Sequence, residues 1–251
     1  MDLGLHGRSI IVTGASSGLG KATAAVLAAE GAHLTLCSRN ADKLRAAAAN
    51  MGGTHHLVTG DLADPALAER LIGEATERFG AVHGAVLSVG GPPVGRVEDL
   101  TDDAWRSAFD SVFLGPLRVA RAIIAAAQTG TAITFVLSTS VTTPVEGLGL
   151  SNGLRPGLAM AAKSLADECG PRGIRVNCLL PHRIDTDRIR EIENATGDAA
   201  AAREAALASI PLRRIGTPEE FGTMAAFVTS PAASYLTGTA IPVDGGARRI
   251  V

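Results

Sequence analysis

A glycine-spaced turn, Thr13-Gly14-Ala15-Ser16-Ser17-Gly18-Leu19-Gly20, follows the first apolar run of the chain and precedes an alanine-rich stretch. Residues of this kind hold phosphates. Glycines let backbone N–H donors approach an anion, and a helix starting there adds the positive end of its dipole. Such a turn in the first strand–helix junction of an α/β chain is a far stronger signal than the same glycines elsewhere. The second apolar run ends in Cys37-Ser38-Arg39-Asn40. A carboxylate at that point would hydrogen-bond a ribose 2′-hydroxyl and repel a 2′-phosphate. Ser38 and Arg39 stand there instead, and a guanidinium fork is well shaped to grip a phosphate. The pair points to NADP(H) over NAD(H).

A second group of reactive side chains comprises Ser138-Thr139-Ser140, Ser151, Arg155 and His182. Clustered serines could supply a nucleophile, but the chain has no G-x-S-x-G elbow and no histidine at a diagnostic spacing, which argues against hydrolysis. His182 titrates in the right range for a proton source, and a structural histidine is its plainer role. His55-His56 lacks further ligands at metal spacing, so no metal is expected. The loop Gly90-Gly91-Pro92-Pro93-Val94-Gly95 is read as a stiff wall of a substrate cavity or as a simple turn.

Positioning these groups requires an alternation of short apolar runs and longer segments of helical period. Strands are expected at 9–13, 33–37, 54–58, 82–88, 132–138, 175–180 and 240–243. Helices are expected at 18–30, 42–50, 65–79, 102–128, 152–169, roughly 187–208 and 218–229. Asp64-Pro65 and Thr217-Pro218-Glu219-Glu220 read as helix starts. Strands apolar on both faces suit a parallel sheet covered by helices on both sides. The fold class is therefore α/β, a Rossmann-type doubly wound parallel sheet of about seven strands in a single domain, residues 1–251. Pro156 costs little if its helix begins at Asn152, and would kink a helix that began earlier. Gly153 and Gly157 suggest close backbone packing on that helix, a second subunit being one candidate neighbour.

The order of these stations, from residue 8 to the C-terminus, resembles the short-chain dehydrogenase/reductase family, and within it the 3-oxoacyl-(acyl carrier protein) reductase-like members. The resemblance implies a cofactor site at Gly14, Ser16, Ser17, Gly18, Leu19 and Gly20, with Ser38 and Arg39 selecting the dinucleotide. It places Asp61-Leu62 against the adenine ring. Leu87-Ser88-Val89-Gly90 stands where the family carries Asn-Asn-Ala-Gly, so Gly90 is kept and both amides are lost. Pro181-His182-Arg183-Ile184-Asp185-Thr186 is similar to Pro-Gly-x-x-x-Thr, which implies cofactor contacts for Pro181, Ile184 and Thr186. The segment at about 187–210 would be the substrate lid.

The same resemblance implies a catalytic set in which this chain departs from the pattern. Ser138 is in place, Ser151 falls at the family's Tyr, Arg155 at its Lys, and Val112 at its Asn. A serine hydroxyl is a poorer acid than a tyrosine and shorter in reach. Arginine keeps its proton, though it can still hold a ribose or an oxyanion. The inherited Tyr–Lys proton relay is thus unavailable. Three readings follow. The first is an NADP(H)-dependent oxidoreductase acting on a carbonyl or alcohol with an altered relay. The second is an NADP(H)-binding protein of this fold without redox turnover, acting as a sensor or assembly partner. The third is non-redox chemistry such as dehydration or isomerisation.

Composition narrows the partners. Lys+Arg 23 against Asp+Glu 25 leaves a net charge of −2, and no basic run is present, so nucleic acid is not an expected partner. No apolar run approaches the roughly 18 residues of a membrane span. The start of the chain lacks a signal-peptide pattern. Cys37, Cys169 and Cys178 are scattered and read as buried reduced thiols. A cytoplasmic protein binding a small-molecule substrate is expected, and the resemblance adds a homo-oligomer, tetramer or dimer.

Overall fold

The computed structural model describes residues 1–249. Seven strands, β1 (Ser9–Thr13), β2 (His33–Ser38), β3 (His55–Thr59), β4 (Gly84–Leu87), β5 (Ala132–Val136), β6 (Arg175–Pro181) and β7 (Ala240–Val243), form one parallel sheet in the order β3-β2-β1-β4-β5-β6-β7. Every adjacent pair is parallel. The helices are α1 (Gly18–Ala29), α2 (Ala41–Ala48), α3 (Leu67–Phe79), α4 (Asp102–Ala108), α5 (Gly115–Ala126), α6 (Gly149–Cys169), α7 (Asp187–Asn194), α8 (Ala199–Ser209) and α9 (Pro218–Thr229).

Side chains alternate across each strand, and the sheet therefore carries a core on both faces. From β1, Ile11 joins a cluster built with Leu71 and Ile72 of α3, Val119 and Ile123 of α5, and Leu158 of α6. Its neighbours Ile10 and Val12 join the opposite cluster, with Leu27 of α1, Leu44 of α2, and Phe221 and Val228 of α9. Strand order reverses where β1 lies between β2 and β4, so the carboxyl ends of these strands open a crevice. That crevice is where the site forms.

Four local expectations change. The span read as one helix at 102–128 is α4, a π-helical stretch at Phe109–Leu114, and α5. Pro116, at the start of α5, has no N–H, and its ring would clash with the Val112 carbonyl in α geometry; a widened turn relieves both. The fifth expected helix starts three residues early, at Gly149 rather than Asn152. Gly149 donates to the Gly95 carbonyl, and the Asn152 amide grips both backbone groups of Val145 at 3.0 and 2.8 Å, which pins the earlier entry. Pro156 consequently lies inside α6, beyond the first turn.

The segment at 187–208 is two helices, because Gly197 takes a left-handed backbone (φ 85) and Asp198 caps α8 by accepting from Ala201 N. Buried Glu193 ties the pair together, accepting from Arg183 at 3.1 Å and Arg203 at 3.4 Å. Asp64-Pro65 forms a turn ahead of α3, which begins at Leu67. The Thr217–Glu220 capping box forms as expected.

Gly153 and Gly157 do make a close approach, but to their own chain. A Cβ on Gly153 would sit 2.5 Å from the Trp105 ring, and one on Gly157 would sit 3.1 Å from the Phe113 ring.

Candidate active site

The first loop enters a cleft of about 700 Å3. Gly14 turns there with φ 62, and Thr13 Oγ1 donates to the Ser88 carbonyl at 2.6 Å, locking the β1 loop to the β4 loop. A Cβ on Gly14 would meet that same carbonyl at 2.9 Å. Gly20 does not line the cleft. A side chain there would collide with the Gly14 carbonyl, so Gly20 seats α1 beneath the turn. Ser17 precedes α1 without a side-chain cap, and the first turn of the helix carries no acid. The leading N–H groups of α1 therefore have no side-chain cap where the turn meets the cleft, an arrangement suited to an anion.

Beyond β2, Ser38 donates to the Asn40 carbonyl at 3.2 Å, while Asn40 caps α2 through Lys43 N at 2.9 Å. Exposed Arg39 lines the cleft and reaches across it toward Gly90. Lys43, one helical turn further on, lines it too. Asp61 and Leu62 complete this end. Asp61 holds its own loop by accepting from Ala63 N at 2.9 Å.

The opposite end holds the hydroxyls, the guanidinium and the imidazole. Ser138 caps a short 3-10 turn, accepting from Ser140 N at 3.1 Å. Ser151, buried in the first turn of α6, shares a hydrogen bond of 3.0 Å with Ser140 Oγ. Arg155, one turn along α6, is only 6% exposed and donates to the Val136 carbonyl at 3.1 Å. Burial, then the nearby charge of Arg188, push its pKa down to about 10, so it is still a cation at neutral pH. Among the described residues it has no carboxylate partner and no second acceptor.

His182 Nδ1 lies 3.2 Å from Thr139 Oγ1. Burial lowers its pKa, Arg183 lowers it further and Asp244 pulls it back, so the ring is neutral near pH 7. Pro181, Ile184 and Thr186 line the adjoining wall, and α7 closes over it through Arg188, Ile189 and Ile192. The second helix of the segment expected to form a lid, α8, contributes no residue to the cleft lining.

This arrangement, a helix-capped glycine turn at one end of a cleft and a hydroxyl–guanidinium–imidazole group at the other, has clear relatives. The profile of the family described as Enoyl-(Acyl carrier protein) reductase matches residues 14–248. Human dehydrogenase/reductase SDR family member 4 is 30% identical over 248 residues, covering 96% of this chain and 88% of that protein. The chain belongs to the short-chain dehydrogenase/reductase family. Protein FixR of Bradyrhizobium diazoefficiens is 31% identical over 249 residues, with 94% and 85% of the two chains covered. A short-chain dehydrogenase/reductase from Brucella melitensis superposes with a TM-score of 0.93 at 26% identity over the whole of both chains. L-Sorbose reductase from Gluconobacter frateurii, solved with NADPH and L-sorbose, gives 0.91 at 29% identity, again over both whole chains.

Every site residue expected in this short-chain dehydrogenase/reductase lines the one cleft, Gly20 excepted. Lys43 and Arg188 were not anticipated. Lys43 follows Arg39 by four residues on a helix start, a spacing that sequence offers. Arg188 carried no local signal, because its position depends on how α7 packs beside the cleft. Val112 packs into a small apolar cluster with Ala108, Leu150 and Leu154, against Trp105 and Leu100. Cys37 and Cys178 are buried, and burial pushes both thiols up to about 12, which removes them as nucleophiles. Among the described residues no three His, Cys, Asp or Glu side chains are grouped to hold a metal, and no helix is long and apolar enough to cross a membrane.

Proposed function

We propose that this family member is an NADP(H)-dependent oxidoreductase that interconverts a carbonyl and an alcohol through a proton relay lacking tyrosine and lysine. The observation that carries the reading is the cleft's polarity of function. An uncapped helix start and two cations, Arg39 and Lys43, lie at one end, and a buried cation beside hydroxyls and an imidazole lies at the other. The residues fit the dinucleotide: the turn at 14–19 would cradle its diphosphate, Ser38, Arg39 and Lys43 its 2′-phosphate, Asp61 and Leu62 its adenine. Gly90, Arg155, Pro181, Ile184 and Thr186 would hold the nicotinamide half. The NADPH-bound sorbose reductase of the same fold supports that choice of cofactor.

Bound NADPH supplies the hydride for the carbonyl carbon, leaving NADP+ and requiring one proton at the carbonyl oxygen. Ser138 can donate a hydrogen bond to that oxygen while its lone pair stays with Ser140 N. Arg155 stabilises the negative charge that develops there and keeps its own proton. The proton route then runs through the Ser151–Ser140 hydroxyl pair or the His182–Thr139 pair, the two links that reach the cleft wall. We further place the protein in the cytoplasm as a homo-oligomer, a dimer or tetramer. The exposed apolar side chains of Phe109 and Met160 on the face of the π-helical stretch and α6 suit such an interface.

Calorimetric titration tests the cofactor. NADPH should bind more tightly than NADH, and Arg39→Ala should weaken NADPH roughly 10- to 100-fold while leaving NADH nearly unchanged. Equal losses for the two would remove the assignment. NADPH oxidation followed at the nicotinamide absorbance across a carbonyl panel tests turnover; tight binding with no turnover would favour the sensor reading.

A further inference from the structure

The negative charges of the proposed cofactor are all accounted for away from Arg155. The diphosphate belongs at the glycine turn, and the 2′-phosphate belongs with Arg39 and Lys43. In that reading the cofactor would offer Arg155 a ribose, whose hydroxyls can accept hydrogen bonds but carry no charge. A buried guanidinium answered only by hydroxyls and one backbone carbonyl is an expensive arrangement. Its remaining countercharge has to arrive with the other occupant of the cleft.

A second cation points into the same end. Arg188, on the inner face of α7, lines the cleft and crosses directly over Gly91, so closely that a Cβ there would overlap its guanidinium. One arm donates to the Pro92 carbonyl at 2.6 Å. Among the described residues its one acid, Glu191 at 2.8 Å, is more than half exposed, and a solvent-facing pair of that kind holds its partner weakly. Among the described residues the carboxylates lining the cleft are Asp61, which accepts from Ala63 N, and Asp187, which is turned to Arg190 at 2.7 Å. Val112, Leu148, Ile189 and Ile192 add apolar surface to the same cleft.

We infer that the substrate is a carboxylate-bearing carbonyl compound, an oxo acid or its hydroxy acid, whose carboxylate is held by Arg188 within the field of Arg155. This rests on the oxidoreductase reading and names the substrate class for that site. Gly91 is part of the device, since it lets the Arg188 fork lie flat across the loop. The carboxylate is unchanged by the reaction; it would offset part of the positive charge that Arg155 and Arg188 bring to the cleft.

The test is equilibrium binding to NADP+-saturated protein, where no turnover is possible. Three- to eight-carbon 2-oxo and 3-oxo acids are titrated alongside their methyl esters and the matching phosphorylated carbonyls. At least one acid should bind about tenfold or more tightly than its ester, and that margin should shrink as ionic strength rises. Arg188→Ala should erase the margin without altering NADPH affinity, and Arg188→Lys should restore part of it. Esters binding as well as acids, a margin that survives Arg188→Ala, or selection of phosphorylated compounds over carboxylates would each overturn the inference. Failure of NADP+ to saturate the protein would instead strike the cofactor reading beneath it.

Discussion

Arg155 is held in place by packing and a single carbonyl, with its charge unanswered by any described acid. That condition leaves an uncompensated desolvation cost in the folded protein. Arg155→Met keeps the length and apolar stem but removes the desolvated charge. The variant should be more stable to urea than the parent by about 1–2 kcal/mol, with a raised midpoint and unchanged m-value. It should also lose affinity for NADP(H). A less stable variant would mean that the guanidinium gains more from its surroundings than its burial costs. The presence of Arg155 was legible in sequence, as was its neighbour Ser151. Their state was not, because Ser151 is spent on Ser140 and Arg155 on Val136, contacts that form only when α6 packs on the end of β5.

At the scale of elements, α6 carries the main irregularity. Pro156 sits inside the helix, so the Asn152 carbonyl has no N–H four residues on. Restoring that donor recovers about 3 kcal/mol, against roughly 0.4–1 kcal/mol of added freedom in the unfolded chain. Pro156→Ala should therefore stabilise the protein by about 2 kcal/mol in equilibrium denaturation. It should also shift the emission of Trp105, the sole tryptophan, whose ring lies against Gly153 of the same helix. No gain in stability would mean the helix already bends to serve that carbonyl another way. Apolar period placed α6 correctly and missed its first turn, because its start is set by Gly95 and Val145 from a different loop. The π-helical stretch escaped for a similar reason. Pro116 is its local cause, and the Leu62 carbonyl, 2.5 Å from where a Gly115 Cβ would stand, requires glycine at the end of the stretch.

Over the whole molecule, acid sensitivity follows from two histidines held neutral. His182 and His83 both titrate below the ordinary 6.5, chiefly through burial, with Arg183 and Arg8 adding to it. His83 Nδ1 also accepts from Ser9 N at 3.1 Å, a bond that a proton would break. In the unfolded chain each imidazole takes its proton near 6.5; in the folded chain it does so only at lower pH. Unfolding then binds protons in that interval, so stability is full above about pH 6.5 and is lost as pH falls through the lowered folded values. Urea midpoints measured from about pH 8 to about pH 5 should be flat and then decline. His182→Gln should reduce the slope of that decline, and an unaltered slope would show that His182 is not among the groups responsible.

The consecutive residues of the chain determined the class of fold, the glycine-spaced turn after β1 and the Ser38–Arg39 pair at the end of β2, because these depend on spacing within one strand–helix unit. A glycine pattern or an apolar run carries its meaning wherever the chain goes. Tertiary structure alone decided which hydroxyl answers which, that Gly153 and Gly157 receive rings from their own chain, and that α7 brings Arg188 over Gly91. Those outcomes depend on segments far apart in sequence meeting at close range, where desolvation and van der Waals contact change steeply over an ångström.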